Sequence, residues 1–132
     1  MKNKIIEIRT ISENLIAFKD QNNLWGFVDN EGKVVIKPKY RKVSDFYHGI
    51  SIVYTDKDCY LIDRNGKKIS KSYSKIDDFH DGLAVVSKNK LLIKGPEYGY
   101  IDIYGREVIP CRYKNASQYK DKKCLVTNKD NI

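Results

Sequence analysis

The chain is poor in the residues that metal sites, covalent catalysis and disulfide frameworks need. Two histidines, His48 and His80, and three cysteines, Cys59, Cys111 and Cys124, are scattered with no paired spacing, whereas a structural zinc site takes four well-placed Cys or His ligands. An odd number of cysteines outside any C-x-x-C pair argues for reduced thiols and against a secreted disulfide scaffold. No G-x-S-x-G motif, phosphate-cradling glycine loop or dinucleotide fingerprint occurs. Nowhere do about 18 apolar residues run together, and the opening MKNKIIEIRT has neither a signal-peptide core nor a small-residue cleavage site. A soluble, cytoplasmic protein is expected. No stretch combines a cap with the sustained apolar stripe of a helix of about ten residues or more.

What the chain does have is charge and repetition. Lys and Arg number 25 against 17 Asp and Glu, a net charge of +8 over 132 residues. Such a charge attracts nucleic acid, an anionic membrane surface or an acidic partner. The basic residues are dispersed, though, as Lys33, Lys37, Lys39, Arg41 and Lys42, then Lys67, Lys68, Lys71 and Lys75, then Lys114, Lys120, Lys122 and Lys123. Acids and apolar residues break each group, so a solvated lysine-rich surface stands beside a functional basic face as a reading. The length predicts one domain, 1–132, with its own core.

The segment Leu24 to Val53 is written again along the chain. Asp29, Gly32, Tyr40, Val43, Phe46, Gly49, Ile52 and Val53 align with Asp63, Gly66, Tyr73, Ile76, Phe79, Gly82, Val85 and Val86, at offsets of 33 to 34 residues. A third copy follows at Asp102, Gly105, Tyr113, Ala116, Tyr119, Lys122, Leu125 and Val126, offset by 39 to 40. Ile5, Ile8, Ile11, Asn14, Leu15 and Phe18 fall on the second half of the unit. The organisation is a half-repeat at 5–23, repeats at 24–57, 58–90 and 98–127, and an insertion at about 88–97.

In each unit Asp29-Asn30-Glu31-Gly32, Asp63-Arg64-Asn65-Gly66 and Asp102-Ile103-Tyr104-Gly105 place Asp first and Gly fourth, as in a type I turn closed by a left-handed glycine. Strands lead in, as at Leu24 to Asp29, and return over Lys33 to Ile36, Lys67 to Ile69 and Arg106 to Ile109. Pro38 and Pro110 are expected to end two of them, because proline cannot donate to a ladder. The apolar triplets Tyr40, Val43, Phe46; Tyr73, Ile76, Phe79; and Tyr113, Ala116, Tyr119 recur at spacing three, which predicts a compact turn feeding one core. Gly49 and Gly82, with Asn14 in the same place, allow a sharp bend into the next strand. Those next strands, Leu15 to Phe18, Ile50 to Tyr54, Leu83 to Val86 and Cys124 to Val126, are apolar on both faces and must be covered on both. The expected fold is all-β, an array of short antiparallel three-stranded units in an elongated stack or solenoid, with a closed propeller-like arrangement as the alternative. Open sheet edges at the ends would then need polar capping or a partner, which can be a second copy.

The stretch LWGFVDNEGKVVIKPKYRKVSDFYHGISIV resembles the WG repeat, also called the KWG repeat, a bacterial unit with the pattern W-G-aromatic-V/I-D-x-x-G-K-x-V-I-x-P-x-Y, then A/V, F and G-L-A-x-V at fixed spacing. In the second copy Cys59-Tyr60 replaces Trp-Gly, while Gly82 to Val86 match closely; in the third, Tyr98 to Asp102 and Val108 to Pro110 match and the end decays from Lys122. The resemblance implies short β-rich repeats that bind rather than catalyse, and it carries over no catalytic residue.

Residue by residue, the candidates for chemistry have simpler roles. Asp29, Asp63 and Asp102 are explained by their turns. His48 and His80 lie one register apart in the unit and do not form a matched ligand pair. Cys59 and Cys111 fit as small core hydrophobes, and Trp25 as packing. No catalytic, metal or cofactor residue is therefore assigned. The candidate partner-binding residues are Lys88, Lys90, Leu91, Leu92 and Lys94, because an insertion with an apolar centre and basic rim is where repeat arrays place binding faces; a strand pair packing on its own array is the other reading. The expected function is a non-enzymatic binding or scaffold module whose partner is another protein, with no membrane role. Nucleic acid is the alternative, on the strength of Tyr40-Arg41-Lys42 and Arg112-Tyr113-Lys114, although Tyr40 and Tyr113 are triplet positions. Tyr47, Tyr54 and Tyr104 are the tyrosines left for the surface.

Overall fold

A computed structural model describes residues 4–89, 95–116 and 126–128, and in these the repeats form antiparallel strands joined by two recurring turns. The described strands are β1 (Ile5–Ile8), β2 (Leu15–Asp20), β3 (Trp25–Asp29), β4 (Val34–Tyr40), β5 (Lys42–Val43), β6 (Ile50–Tyr54), β7 (Cys59–Asp63), β8 (Lys75–Ile76), β9 (Leu83–Asn89), β10 (Pro96–Asp102), β11 (Glu107–Ala116) and β12 (Val126–Asn128). The fold is all-β, and no helix occurs among the described residues. The chain divides into two units, Met1–Ile69 and Ser70–Ile132. The first holds a sheet in the order β1-β2-β3-β4 and a second in the order β5-β6-β7; the other unit holds one sheet, β12-β11-β10-β9-β8.

The aspartate turns close as their sequence predicts. Asp29 Oδ1 accepts from the Glu31 and Lys33 amides, both at 2.9 Å, and Gly32, at φ +84°, donates to the Asp29 carbonyl at 3.0 Å. Asp63 holds Asn65 and Lys67, and Asp102 holds Tyr104 and Arg106, through the same atoms. A fourth such turn joins β2 to β3, where Asp20 Oδ1 takes the Asn22 and Leu24 amides and Asn23 adopts φ +62° in place of glycine. Sequence reading passes over it because the glycine is missing. The second kind of turn is Glu13-Asn14, His48-Gly49 and Asp81-Gly82, each with both φ values positive. At His48-Gly49 reciprocal bonds between Tyr47 and Ile50, at 2.8 and 3.1 Å, close a two-residue loop, the geometry whose twist suits a tight hairpin.

Strands β4 and β11 run through their prolines instead of stopping at them. Trp25 pairs with Tyr40 and Phe27 with Ile36, so that Lys37, Pro38 and Lys39 together face the single residue Gly26. Tyr98 pairs with Tyr113 and Tyr100 with Ile109, which sets Pro110, Cys111 and Arg112 against Gly99 in the same way. A bulged segment makes no regular ladder bonds, so a proline without an N–H is accommodated. The bulge also presses on the glycine opposite: a Cβ on Gly26 would lie 2.5 Å from Ile36 O and 2.7 Å from Pro38 N, and one on Gly99 would lie 2.7 Å from Pro110 C. Tyr60 takes the glycine's place in the second copy, and no proline follows. There the returning strand shrinks to an isolated bridge between Ile62 and Lys68 and one bond from Ile69 N to Leu61 O at 2.9 Å.

The triplet at spacing three is a passage between sheets, not a compact turn. Tyr40 is the last residue of β4, Val43 lies on β5 and Phe46 follows in the connection to the His48-Gly49 turn. All three are buried, in one cluster with Leu15, Ala17, Trp25, Phe27 and Ile36 of the first sheet and Val53 and Ile62 of the second. Phe27 and Phe46 meet edge to face, with centroids 4.8 Å apart, an arrangement worth about 0.5–1.5 kcal/mol beyond its buried area. Polar contacts between successive copies run alongside: Arg9 Nη1 donates to Val43 O at 2.7 Å, Ser12 Oγ to Phe46 O at 2.9 Å, and Gly49 N to Glu13 Oε1 at 2.8 Å.

Gly26→Ala is expected to destabilise the fold by about 1–3 kcal/mol, since the added carbon meets backbone that is itself packed. Gly49→Asn installs the residue type that Asn14 already supplies in the equivalent turn, and at φ +83° it is expected to cost about 1 kcal/mol, less than Gly26→Ala. Urea midpoints of the two variants check this; an unshifted midpoint for Gly26→Ala would mean that the bulge is not tightly held.

Candidate functional site

The repeated acids are engaged by the backbone of their own turns, and that sets their chemistry. At Asp102 burial alone would raise the carboxyl pKa, but the hydrogen bonds from the Arg106 amide and guanidinium and from the Tyr104 amide outweigh it and hold the group below its usual range. A carboxylate stabilised in this way is a weak base. His48 sits in the left-handed first position of its turn, at φ +49°, and is exposed, whereas His80 precedes the Asp81-Gly82 turn and is half-buried. Among the described residues no group of three His, Cys, Asp or Glu side chains is placed to hold a metal ion. Cys59 and Cys111 are buried, and Cys124 lies outside the described residues.

Among the described residues, seven of the 25 basic side chains lie on aromatic faces. Arg9 stands 4.4 Å and Lys19 5.7 Å from the centre of the Trp25 ring, which is itself buried. Lys39 lies over Tyr40, Lys42 over Tyr54, Lys68 over Tyr60 and Arg106 over Tyr104. Ring faces attract cations by about 0.5–1 kcal/mol even at exposed sites. Arg41 is bound instead to Asp56, Nε to Oδ1 at 2.6 Å. In the Tyr40-Arg41-Lys42 cluster, then, the tyrosine is buried and both cations have intramolecular partners. Burial pushes the Tyr40 phenol up to about 12, with the nearby Tyr60 adding to the effect.

Lys88, on β9, belongs to a polar group inside the second unit. Its Nζ is 3.6 Å from Glu107 Oε2 and 5.1 Å from the centre of the Tyr73 ring, and Tyr73 donates its hydroxyl to the same Glu107 oxygen at 2.7 Å. Glu97 pairs in register with Lys88 and is buried. Burial raises the Tyr73 pKa far above its ordinary value, and the bond to Glu107 raises it further. Lys90, Leu91, Leu92 and Lys94 lie outside the described residues.

What stands exposed and apolar is on the hairpins and the first strand. Tyr104, at the tip of the Asp102 turn, is 65% exposed, and Val108 on the returning strand is 53% exposed. Arg106 lies between them in sequence, with its guanidinium 5.0 Å from the Tyr104 ring centre and its Nε 2.9 Å from Asp102 Oδ2. Val34 and Val35 are the exposed residues of the corresponding hairpin of the first unit, and Tyr47 is exposed beside the His48 ring. Sequence reading anticipates Tyr47 and Tyr104. It misses Val108, because an apolar residue on a short strand is indistinguishable from core until its face is known. Among the described residues no helix is long and apolar enough to cross a membrane.

A family model described as WG containing repeat matches the chain three times, at residues 25–57, 61–91 and 98–131. No curated protein matches, and no solved structure matches.

Tyr73→Phe is expected to cost about 1–2 kcal/mol at neutral pH through loss of the bond to Glu107. The folded phenol titrates above its unfolded value of about 10, so the wild-type advantage is whole below that pH and is lost as pH rises beyond it. The two denaturation midpoints should converge by about pH 11; a constant gap through alkaline pH would rule out a neutral, buried Tyr73.

Proposed function

The chain belongs to the family of WG-containing repeat proteins, and from that premise we propose that it is a non-enzymatic binding module whose partner is another protein. One observation carries the reading. The repeated polar residues that resemble catalytic groups are engaged by their own turns, while Tyr104, Arg106 and Val108 are each exposed on a tightly closed hairpin. Tyrosine and arginine on a rigid support, with an apolar neighbour, are the residue types that dominate protein interfaces. The insertion that begins after Lys88 adds a second candidate face, with an apolar centre of Leu91 and Leu92 among lysines. The same reading puts the protein in a reducing cytoplasm, where Cys59, Cys111 and Cys124 remain thiols. Nucleic acid is the competing partner, favoured by the net charge of +8, but cations already laid on tyrosine faces or paired with acids contribute less to a phosphate-tracking groove with stacking platforms.

The test is capture from a lysate on the immobilised whole chain, with and without nuclease. The expected result is one protein retained near stoichiometrically whatever the nuclease does. Capture should be lost in Tyr104→Ser/Val108→Asp with the melting curve unchanged, or when residues 90–94 are shortened, a change that keeps Lys88 beside Glu107 and Asn89 opposite Pro96. Retention that consists of nucleic acid, disappears with nuclease and falls by orders of magnitude between about 50 and 200 mM salt would replace this reading with the second.

A further inference from the structure

The returning strand of two of the three copies carries an apolar residue that the core does not use. Val35 on β4 is 39% exposed and Val108 on β11 is 53% exposed. Both stand in a bulge. Val28 pairs with Val34 and Phe27 with Ile36, which leaves Val35 as the extra residue. Ile101 pairs with Glu107 and Tyr100 with Ile109, which leaves Val108. A bulge re-aims a side chain at the expense of local pairing, and in each unit it turns an aliphatic one to solvent.

Cations flank each valine at the same places. Lys33 and Arg106 lie two residues before it, and Lys39 and Arg112 four residues after it, in the second bulge that faces Gly26 or Gly99; all four are exposed. Arg106 engages Asp102 through Nε, one of the five N–H donors of a guanidinium. The middle copy is an internal contrast. Six residues separate Gly66 from Tyr73, where seven separate Gly32 from Tyr40 and Gly105 from Tyr113. Ile62 faces Lys68 and Ile69 N bonds to Leu61 O, so no residue is left over at this point. Ile69 is half-buried, and Ser72 takes the place of the second cation. The exposed aliphatic residue between two cations thus comes with the inserted residue and not with the hairpin as such.

We propose that Val35 and Val108 are the centres of two equivalent docking sites, one in each unit, for extended acidic segments of another protein in which an apolar residue stands between carboxylates. This rests on the reading of the chain as a protein-binding module and names the chemistry of its partner. Residues two apart on an extended backbone point to one side, roughly 6–7 Å from each other. An acid and an apolar residue at that spacing therefore match Lys33 with Val35 and Arg106 with Val108. Carboxylates facing the cations supply complementarity and faster encounter, and covering the valine removes apolar area from water. A polypeptide fits better than nucleic acid, because Glu31 stands in the first copy where Tyr104 stands in the third. Bases would find a ring to stack on at one site and not at the other.

Equilibrium dialysis of the whole chain against the peptide Glu-Glu-Ser-Val-Ser-Glu-Glu at low salt tests the assignment. The expected result is two peptides bound per chain, one in Val35→Asp or in Val108→Asp, and none in the double variant, with circular dichroism and melting those of the wild type throughout. Lys33→Glu/Lys39→Glu, which keeps the valine, should likewise remove one peptide. Glutamine in place of each glutamate of the peptide should weaken binding at least about tenfold. No binding, a stoichiometry indifferent to the two valines, or equal binding of the glutamine peptide would overturn the proposal, as would an oligothymidylate that displaces the peptide from both sites. A protein captured from lysate by a chain that binds no peptide would leave the binding module standing and remove only the acidic segment.

Discussion

At Gly26 the backbone of β3 comes so close to that of β4 that no β-carbon fits between them, and at Gly99 the backbones of β10 and β11 do the same. A bulge around Pro38 or Pro110 fills the space opposite. In the first copy the bulge lies directly before Tyr40, which enters the core beside Val43 and Phe46, whereas Tyr73 of the second copy is buried without a bulge. The tryptophan-glycine pair and the proline some twelve residues later, at Pro38 after Gly26, are two sides of one contact. The second copy lacks that contact: Tyr60 stands where the glycine would be, and the returning strand is reduced to a bridge at Lys68.

The same economy governs the charges. Carboxylates repeated along the sequence bind the amides of their own turns, and cations lie over tryptophan or tyrosine rings or pair with single acids. Each such contact is worth little in isolation. Their combined effect is to tie part of the basic surface into the fold. Polar groups that turns and rings already occupy cannot be shared with a substrate at small cost.

Relations between residues near in sequence are legible from residue order alone. The repeat, the aspartate turns, the left-handed Gly49 and Asn14 and the all-β class all follow from spacing and from the φ that each residue type tolerates. Asp20 escapes notice only because Asn23 replaces the expected glycine. The exposed tyrosines of the candidate surface are legible for the same reason, as residues that no repeat position claims.

Relations across space are not legible in this way. Whether a proline stops a strand or sits in a bulge depends on what the facing strand presents, and that is decided by Gly26 and Gly99 across the hairpin. Whether an apolar residue is core or surface depends on the sheet that covers it, so Val43 and Ile8, alike in sequence terms, end buried and exposed. By itself the sequence determined the repeat, the turns and the class of fold, because these rest on local backbone energetics. Tertiary structure alone decided which bulges form, which triplet members are covered and which cations meet rings, because each of these needs two segments brought together from different parts of the chain.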